Sequence, residues 1–342
     1  MISELRKTFL LLIFLFPVLL QAQEMISGSV FSAKDSTALE GVSVYFDGTS
    51  VGTVTGNTGA FKIEKDRSGL APLVISFLGF KNLVLPVSED TTEFPAIYLQ
   101  EKEEMLAEVI IEPDTWSRAK KLRIFRQEFL GNSPEAADCK IKNEDAIKLY
   151  FFPSKNVLSA EFSEPLEIVN KHLGYHISYD LSLFRVEFLD PPGSFRGRKM
   201  VFFEGTSFFD ELNDRIRRRH EKHREMEYKG SSLHFMRALA AHELEENRFR
   251  IFHESFETDP YKFFDLSREN GITKVKLLTE KLTILYSDLY QSAIETQSEF
   301  SIDQLGNHTP PLAVIFSGDM SVKRVANMLP LNYFPEEDKD KL

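Results

Sequence analysis

The chain has 342 residues and a formal net charge of −11, from 52 acidic against 41 basic side chains. That balance disfavours phosphate backbones as a general partner, since binding them draws on net or clustered positive charge. The single cysteine, Cys139, excludes an intrachain disulfide, and a chain of this size buries enough apolar surface without one.

At the N-terminus Arg6 and Lys7 precede an apolar run from Phe9 to Leu20, and the chain turns polar at Gln21-Ala22-Gln23-Glu24. A charged start, an apolar stretch too short to span a bilayer and a small residue at Ala22 predict a secretory signal over residues 1–23. No cysteine stands near the cleavage point, so a lipoprotein anchor is not expected, and no later segment reaches spanning length. The expectation is an exported protein in the periplasm, at the outer membrane or outside the cell, soluble or peripheral.

Residues 24–100 read as short alternating strands parted by Gly and Asp/Asn turns. Ile26-Ser-Gly-Ser-Val-Phe31, Leu39-Glu-Gly-Val-Ser-Val44, Gly48-Thr-Ser-Val-Gly-Thr-Val-Thr55, Gly59-Ala-Phe61 and Ile75-Ser-Phe-Leu-Gly-Phe80 follow in order. This spacing favours an all-β sandwich. The set resembles the carboxypeptidase-regulatory-like family, departing from it with Gly56 where Asp is usual and Phe80 where Tyr is usual. The resemblance implies a transthyretin-like (prealbumin-like) sandwich whose motif consists of turn and core positions. It implies a fold and no ligand.

Residues 101–121 read as a linker: the charged break Gln100-Glu-Lys-Glu-Glu104, one apolar strand at Leu106-Ala-Glu-Val-Ile-Ile111, Pro113, and a helix beginning near Trp116. Leu122, Phe125, Phe129 and Leu130 carry helical spacing up to Gly131. Strands are expected at Ile147 to Phe152, Leu158 to Phe162, Leu166 to Asn170, Tyr175 to Tyr179, Leu183 to Leu189 and Met200 to Glu204. Helices follow from Phe209 to Tyr228 and from Ser231 to Glu246. Further strands are expected at Arg248 to Glu254, Val275 to Leu278, Leu282 to Tyr286 and Leu312 to Phe316. Strands, then helices, then strands predict one α+β domain with a mostly antiparallel sheet over residues 122–335. Residues 336–342 read as a charged tail. The chain is thus expected to have two domains.

No complete catalytic set is visible. His242 and Glu245 match half of a zinc-peptidase motif, but a third ligand and a base are missing, and the surrounding periodicity reads as a surface helix. His220 and His223 would share a helix face, within a stretch expected to be solvated and held by Glu211/Arg215 and Asp214/Arg218 pairs. Gly205-Thr-Ser-Phe-Phe209 lacks the second glycine of a nucleophile elbow and reads as a strand-to-helix turn, with Asp210 capping the helix. Cys139 reads as a buried, inert thiol. In Tyr175 to Tyr179, alternation sends Tyr175, Ile177 and Tyr179 to one face and His176 and Ser178 to the other.

The best candidate interaction site is the basic stretch Arg215, Arg217, Arg218, Arg219, Lys222 and Arg224, suited to an anionic head group or an acidic partner. Nucleic acid is not expected, because no aromatic residues interleave the basic ones. The sequence leads to an exported cell-envelope protein with a non-catalytic binding or scaffolding role and an envelope protein or a glycan as partner. No cofactor or metal is expected. Two alternatives stay open: a hydrolase with a dispersed site around His234, His242 and nearby carboxylates, and a surface glycan-binding protein using some of the 30 Phe and 10 Tyr rings.

Overall fold

The computed structural model describes residues 24–336, apart from 66–70, 89, 103–112, 115, 190–198 and 214–215. The signal segment, the Leu106 to Ile111 strand, Asp214, Arg215 and nearly all of the charged tail therefore lie outside the described residues.

The first seven strands are β1 (Met25–Ser32), β2 (Ser43–Phe46), β3 (Gly52–Val54), β4 (Ala60–Glu64), β5 (Leu73–Ser76), β6 (Leu83–Leu85) and β7 (Ile97–Leu99). They form two sheets, ordered β4-β1-β7 and β3-β2-β5-β6. β1 runs antiparallel to β4, with Ser27 opposite Lys62, and parallel to β7, with Phe31 opposite Tyr98. Alternation sends Ile26, Val30, Val44, Phe61, Ile63, Leu73, Ile75 and Leu99 into a shared core. Gly59, at φ +75°, makes the turn possible: a Cβ there would lie 2.4 Å from the Val30 carbonyl oxygen. The sandwich expected from the sequence is present.

Helix α1 (Arg118–Phe129) starts at Ser117, whose side chain accepts the Lys120 N–H. It covers a sheet built from β8 (Cys139–Ile141), β9 (Ile147–Phe152), β10 (Val157–Phe162), β11 (Leu166–Asn170), β12 (Tyr175–Phe188) and β13 (Lys199–Glu211). The order is β8-β11-β12-β10-β9, with β13 along the other edge of β12. Phe125 and Phe129 are fully buried among Tyr179, Phe184 and Phe203. Tyr175, Ile177 and Tyr179 face this core while His176 and Ser178 do not, as alternation predicts.

Two short helices follow, α2 (Arg218–Tyr228) and α3 (Ser232–Ala241). The next strands are β14 (Phe249–His253), β15 (Phe256–Thr258), β16 (Phe264–Glu269), β17 (Ile272–Leu277), β18 (Lys281–Tyr286), β19 (Tyr290–Thr296), β20 (Phe300–Ile302), β21 (His308–Thr309) and β22 (Val314–Gly318). They form sheets β15-β14-β18-β19-β22 and β16-β17-β20-β21, followed by α4 (Asp319–Val322). Phe235 and Leu239 of α3 are buried with Phe249, Ile284, Ile294, Val275 and Phe300 in a core of their own.

The stretch expected to form one α+β unit is thus mostly β and buries its apolar side chains in two clusters, with α2 and α3 at the passage between them. Three further expectations are corrected. β13 continues to Glu211, so Gly205 to Phe209 is strand: Asp210 pairs opposite His176 rather than capping a helix, and α2 starts only at Arg218. α3 ends at Ala241, with His242 in the left-handed region at φ 60°. Tyr175 to Tyr179 and Leu183 to Leu189 belong to one strand, β12, interrupted by a register shift between Leu181 and Leu183.

Residues 323–336 touch two of the three cores. Val325 and Leu329 join the middle one, while Leu331 and Phe334 pack on the first. The Ala326 N–H donates to the Leu130 carbonyl at 3.0 Å, and the Leu331 N–H to the Gly48 carbonyl at 2.6 Å.

Candidate functional site

A cavity of about 270 Å³ opens where α3 meets the β16–β17 hairpin and the C-terminal segment. Its polar lining includes His234, Arg237, Asn247, Arg268, Thr273 and Asp303. The Arg237 guanidinium donates to three backbone carbonyls, those of Leu305 at 2.9 Å, Leu331 at 2.6 Å and Tyr333 at 2.8 Å. Its plane lies over the Phe334 ring, 3.8 Å from the centroid. The planar fork of arginine suits this combination of divided donation and stacking.

His234 is buried and engaged at both ring nitrogens. Nδ1 accepts the Gly230 N–H at 3.1 Å, so Nε2 carries the proton and donates to Asn247 Oδ1 at 3.0 Å. An imidazole held this way is neutral and has no lone pair left for a substrate. Asp303 accepts the N–H groups of Leu305 and Asn307, each at 2.9 Å. Burial nevertheless raises its pKa. His242 does not line this cavity. Its ring lies against Tyr261, with centroids 4.8 Å apart. The two histidines of the hydrolase alternative are therefore not brought together.

The basic stretch divides into two faces. Inward, His220, Arg224 and Tyr228 repeat every four residues and are buried on the β11–β12 turn. Arg224 donates to both carboxylate oxygens of Glu211, at 2.8 and 2.7 Å, and to the Leu173 carbonyl at 2.9 Å, and lies over the Tyr175 ring. His223 stacks on His172 with centroids 4.1 Å apart and donates Nδ1–H to the His172 carbonyl at 2.9 Å. Burial, followed by the charges of Arg219, Arg224 and Arg217, lowers the pKa of His220.

This inward face is a correction to the solvated helix expected from the sequence. Glu211 pairs with Arg224, which belongs to the interior instead of the interaction surface, and the expected Glu211/Arg215 and Asp214/Arg218 pairs fall on residues outside those described. Outward, Arg217, Arg218, Arg219 and Lys222 are exposed. Arg215 lies outside the described residues. The sequence carried no sign of the inward face, because its buried positions are polar and leave no apolar period.

A third feature is an open groove on the outer face of the first sandwich, lined by Ser27, Ser29, Phe31, Lys62, Glu93 and Phe94 among others. Phe31 pairs at its edge with the half-exposed ring of Tyr98, centroids 5.8 Å apart. Among the described residues, no three His, Cys, Asp or Glu side chains form a metal-binding group, and no helix is long and apolar enough to cross a membrane.

Residues 26–111 match the CarboxypepD_reg-like domain model, so the first sandwich is a domain of that kind. No curated protein matches the chain significantly. Two mutant cohesin–X-dockerin complexes from Acetivibrio cellulolyticus show 18% and 19% identity over 22% of this chain, with TM-scores of 0.19 and 0.20. The likeness spans 56% and 57% of those chains. A candidate carbohydrate-binding protein from Bacteroides uniformis shows 11% identity over 56% of this chain and 80% of its own, with a TM-score of 0.18. A candidate membrane-associated protein of unknown function from Bacteroides fragilis shows 10% identity over 78% of this chain and 92% of its own, also at 0.18. None of these TM-scores reaches the level of a shared fold.

Proposed function

We propose that the protein is an exported, non-catalytic component of a cell envelope whose role is binding or scaffolding. The observation that carries this reading is the use made of Arg237. Its donors go to three backbone carbonyls and its face to a ring, so it ties the C-terminal segment to α3 instead of facing a reactant. His234 beside it is likewise committed at both nitrogens. Polar groups spent this way hold β units at a fixed geometry, which suits a scaffold.

The test is affinity capture of the crosslinked whole chain from its native envelope, followed by reconstitution from purified components. A recurrent partner that re-forms a stoichiometric complex supports the reading. Hydrolysis of an ester, peptide or glycoside substrate that is lost in His234→Gln would replace it with the enzyme alternative.

Glycan binding is a second reading, favoured by the ring pair Phe31 and Tyr98 beside the Ser27, Ser29, Lys62 and Glu93 groove. Pyranose faces stack on exposed rings while flanking polar groups take the hydroxyls. Glycan-array binding that disappears in Tyr98→Ala would establish it. An empty array would remove it.

A further inference from the structure

The outward face of α2 carries charge that folding does not account for. Arg218, Lys222 and Met226 follow one another at intervals of four and form an exposed stripe, with Arg219 beside it and Arg217 leading in. Three carboxylates around the helix are engaged elsewhere, and Glu221, exposed in its first turn, is the one acid set among the cations of the described stretch. Glu211 holds Arg224, Glu225 holds Lys229 at 2.5 Å, and Glu227 holds Lys323 at 3.3 Å. No carboxylate among the described residues pairs with Arg217, Arg218 or Lys222.

These cations also oppose the helix that bears them. Arg217 occupies the N-cap with no side-chain hydrogen bond, and Glu221 is the sole acid of the first turn. Positive charge at that end works against the helix dipole, and an arginine is a poor cap. Stability would favour Ser or Asp there. Exposed apolar side chains lie at the two ends of the stripe: Ile216 ahead of it is 42% exposed and Met226 within it 51%, while Val322, on the next segment, is 63% exposed. Val322 adjoins Lys323, whose ammonium reaches the Glu227 carbonyl of the same helix at 2.8 Å.

We infer that this face of α2 docks on an anionic lipid surface. The proposal deepens the envelope reading and rests on it for its biological setting. Arg218, Lys222 and Met226 present a straight row about 12 Å long. The cations that no described carboxylate pairs meet lipid phosphates along it, and Ile216 and Met226 reach the apolar boundary. Screening confines the attraction to this patch, so the negative charge of the rest of the molecule, beyond a Debye length, does not cancel it. Exposed apolar side chains of this kind favour a membrane over an acidic protein segment, and the lack of aromatic rings in the stripe argues against single-stranded nucleic acid.

The experiment is co-sedimentation of the mature chain with vesicles of phosphatidylcholine, with and without about one third phosphatidylglycerol, at low and high salt. The expected result is binding to the anionic vesicles only, weakened by salt, with a loss of about fivefold for each cation neutralised. Arg218→Gln with Lys222→Gln therefore reduces binding about 25-fold. The same two changes at exposed Lys274 and Lys276 leave it unchanged. Circular dichroism confirms that each variant is folded. Equal binding by wild type and Arg218→Gln/Lys222→Gln overturns the proposal, as does equal binding to neutral and anionic vesicles. If the vesicles are ignored while a captured envelope partner is lost in the same variant, the surface is a protein contact. The lipid proposal then fails and the scaffold reading stands.

Discussion

The Asp47 carboxylate, on the turn after β2, accepts the Ser207 N–H of β13 at 2.9 Å. Beside it the Gly48 N–H donates to the Ser207 carbonyl at 2.7 Å and the Phe209 N–H to the Thr49 carbonyl at 3.0 Å. A turn of the first sandwich therefore lies along part of the free edge of β13 as a short parallel bridge, joining two cores through backbone hydrogen bonds. Such pairing covers an edge that would otherwise recruit another chain.

Burial raises the Asp47 pKa to about 6, against the opposing pull of the Ser207 and Gly48 N–H groups. A carboxyl raised above its ordinary value of 3.8 stabilises the folded state fully below that value and loses the contribution as pH rises through about 6. Asp47→Asn keeps the acceptor oxygen and removes the titration. Its stability relative to wild type should rise from acid to neutral pH, and at neutral pH it should equal or exceed wild type. Denaturant titrations at matched pH check this. A neutral-pH loss above about 1 kcal/mol would mean that the charge itself holds the junction.

His220 has the opposite sign. Its pKa is lowered, chiefly by burial, so its contribution is complete above the ordinary imidazole value and is lost as pH falls. Trp116, the only tryptophan, stacks on Phe151 at 3.8 Å and reports on the same core. Its fluorescence should show the denaturation midpoint of this region moving down between neutral pH and mild acid. His220→Gln should reduce that acid dependence.

How much of this was legible in the sequence depends on the range of the interactions. The first sandwich, α1 and the strands β9 to β11 follow from local period and turn residues. β12 reads as two strands because the shift at Leu181/Leu183 breaks its alternation, and only pairing with β13 keeps it whole. The end of β13 is equally hidden, since Phe208-Phe209 carries no period and its partners lie some thirty residues away in β12. At the cavity, His234 could be picked out as a residue type, but Asn247 and Gly230, which neutralise it as a base, could not. Arg237 gave no signal, because its partners are backbone carbonyls of distant segments.

Arg224→Lys tests the buried side of α2. Lysine cannot reach both Glu211 oxygens, the Leu173 carbonyl and the Tyr175 face together. Glu211 is 36% exposed, which limits the cost of leaving it unpaired, and the expected loss is about 2 kcal/mol. Chemical denaturation measures it, and a loss below about 0.5 kcal/mol would show the pair to be incidental.

Gly205 sits where β13 meets the shift in β12. A Cβ there would lie 2.2 Å from the Asp180 carbonyl oxygen and 2.9 Å from the Leu181 Cα, both backbone atoms. Neither can move without opening the ladder. Gly205→Ala should destabilise the protein by at least about 2 kcal/mol, whereas Gly56→Ala, with its nearest neighbour at 3.9 Å, should change little. Comparison of their thermal midpoints decides it.

Arg237→Ala is the sharpest test of how the C-terminal segment is held. The substitution leaves the carbonyls of Leu305, Leu331 and Tyr333 without this donor and removes the plate on which Phe334 rests. Val325 and Leu329 remain anchored in the middle core, so the release begins after them and not before. Limited proteolysis should therefore cut the variant within residues 330–336, under conditions where wild type is intact there, with the three cores still protected. Arg237→Lys should not restore protection, because one ammonium cannot serve three carbonyls and a ring at once. Protection equal to wild type in both variants would locate the clasp in the Leu331 N–H bond to Gly48 and the packing of Leu331 and Phe334 on the first core.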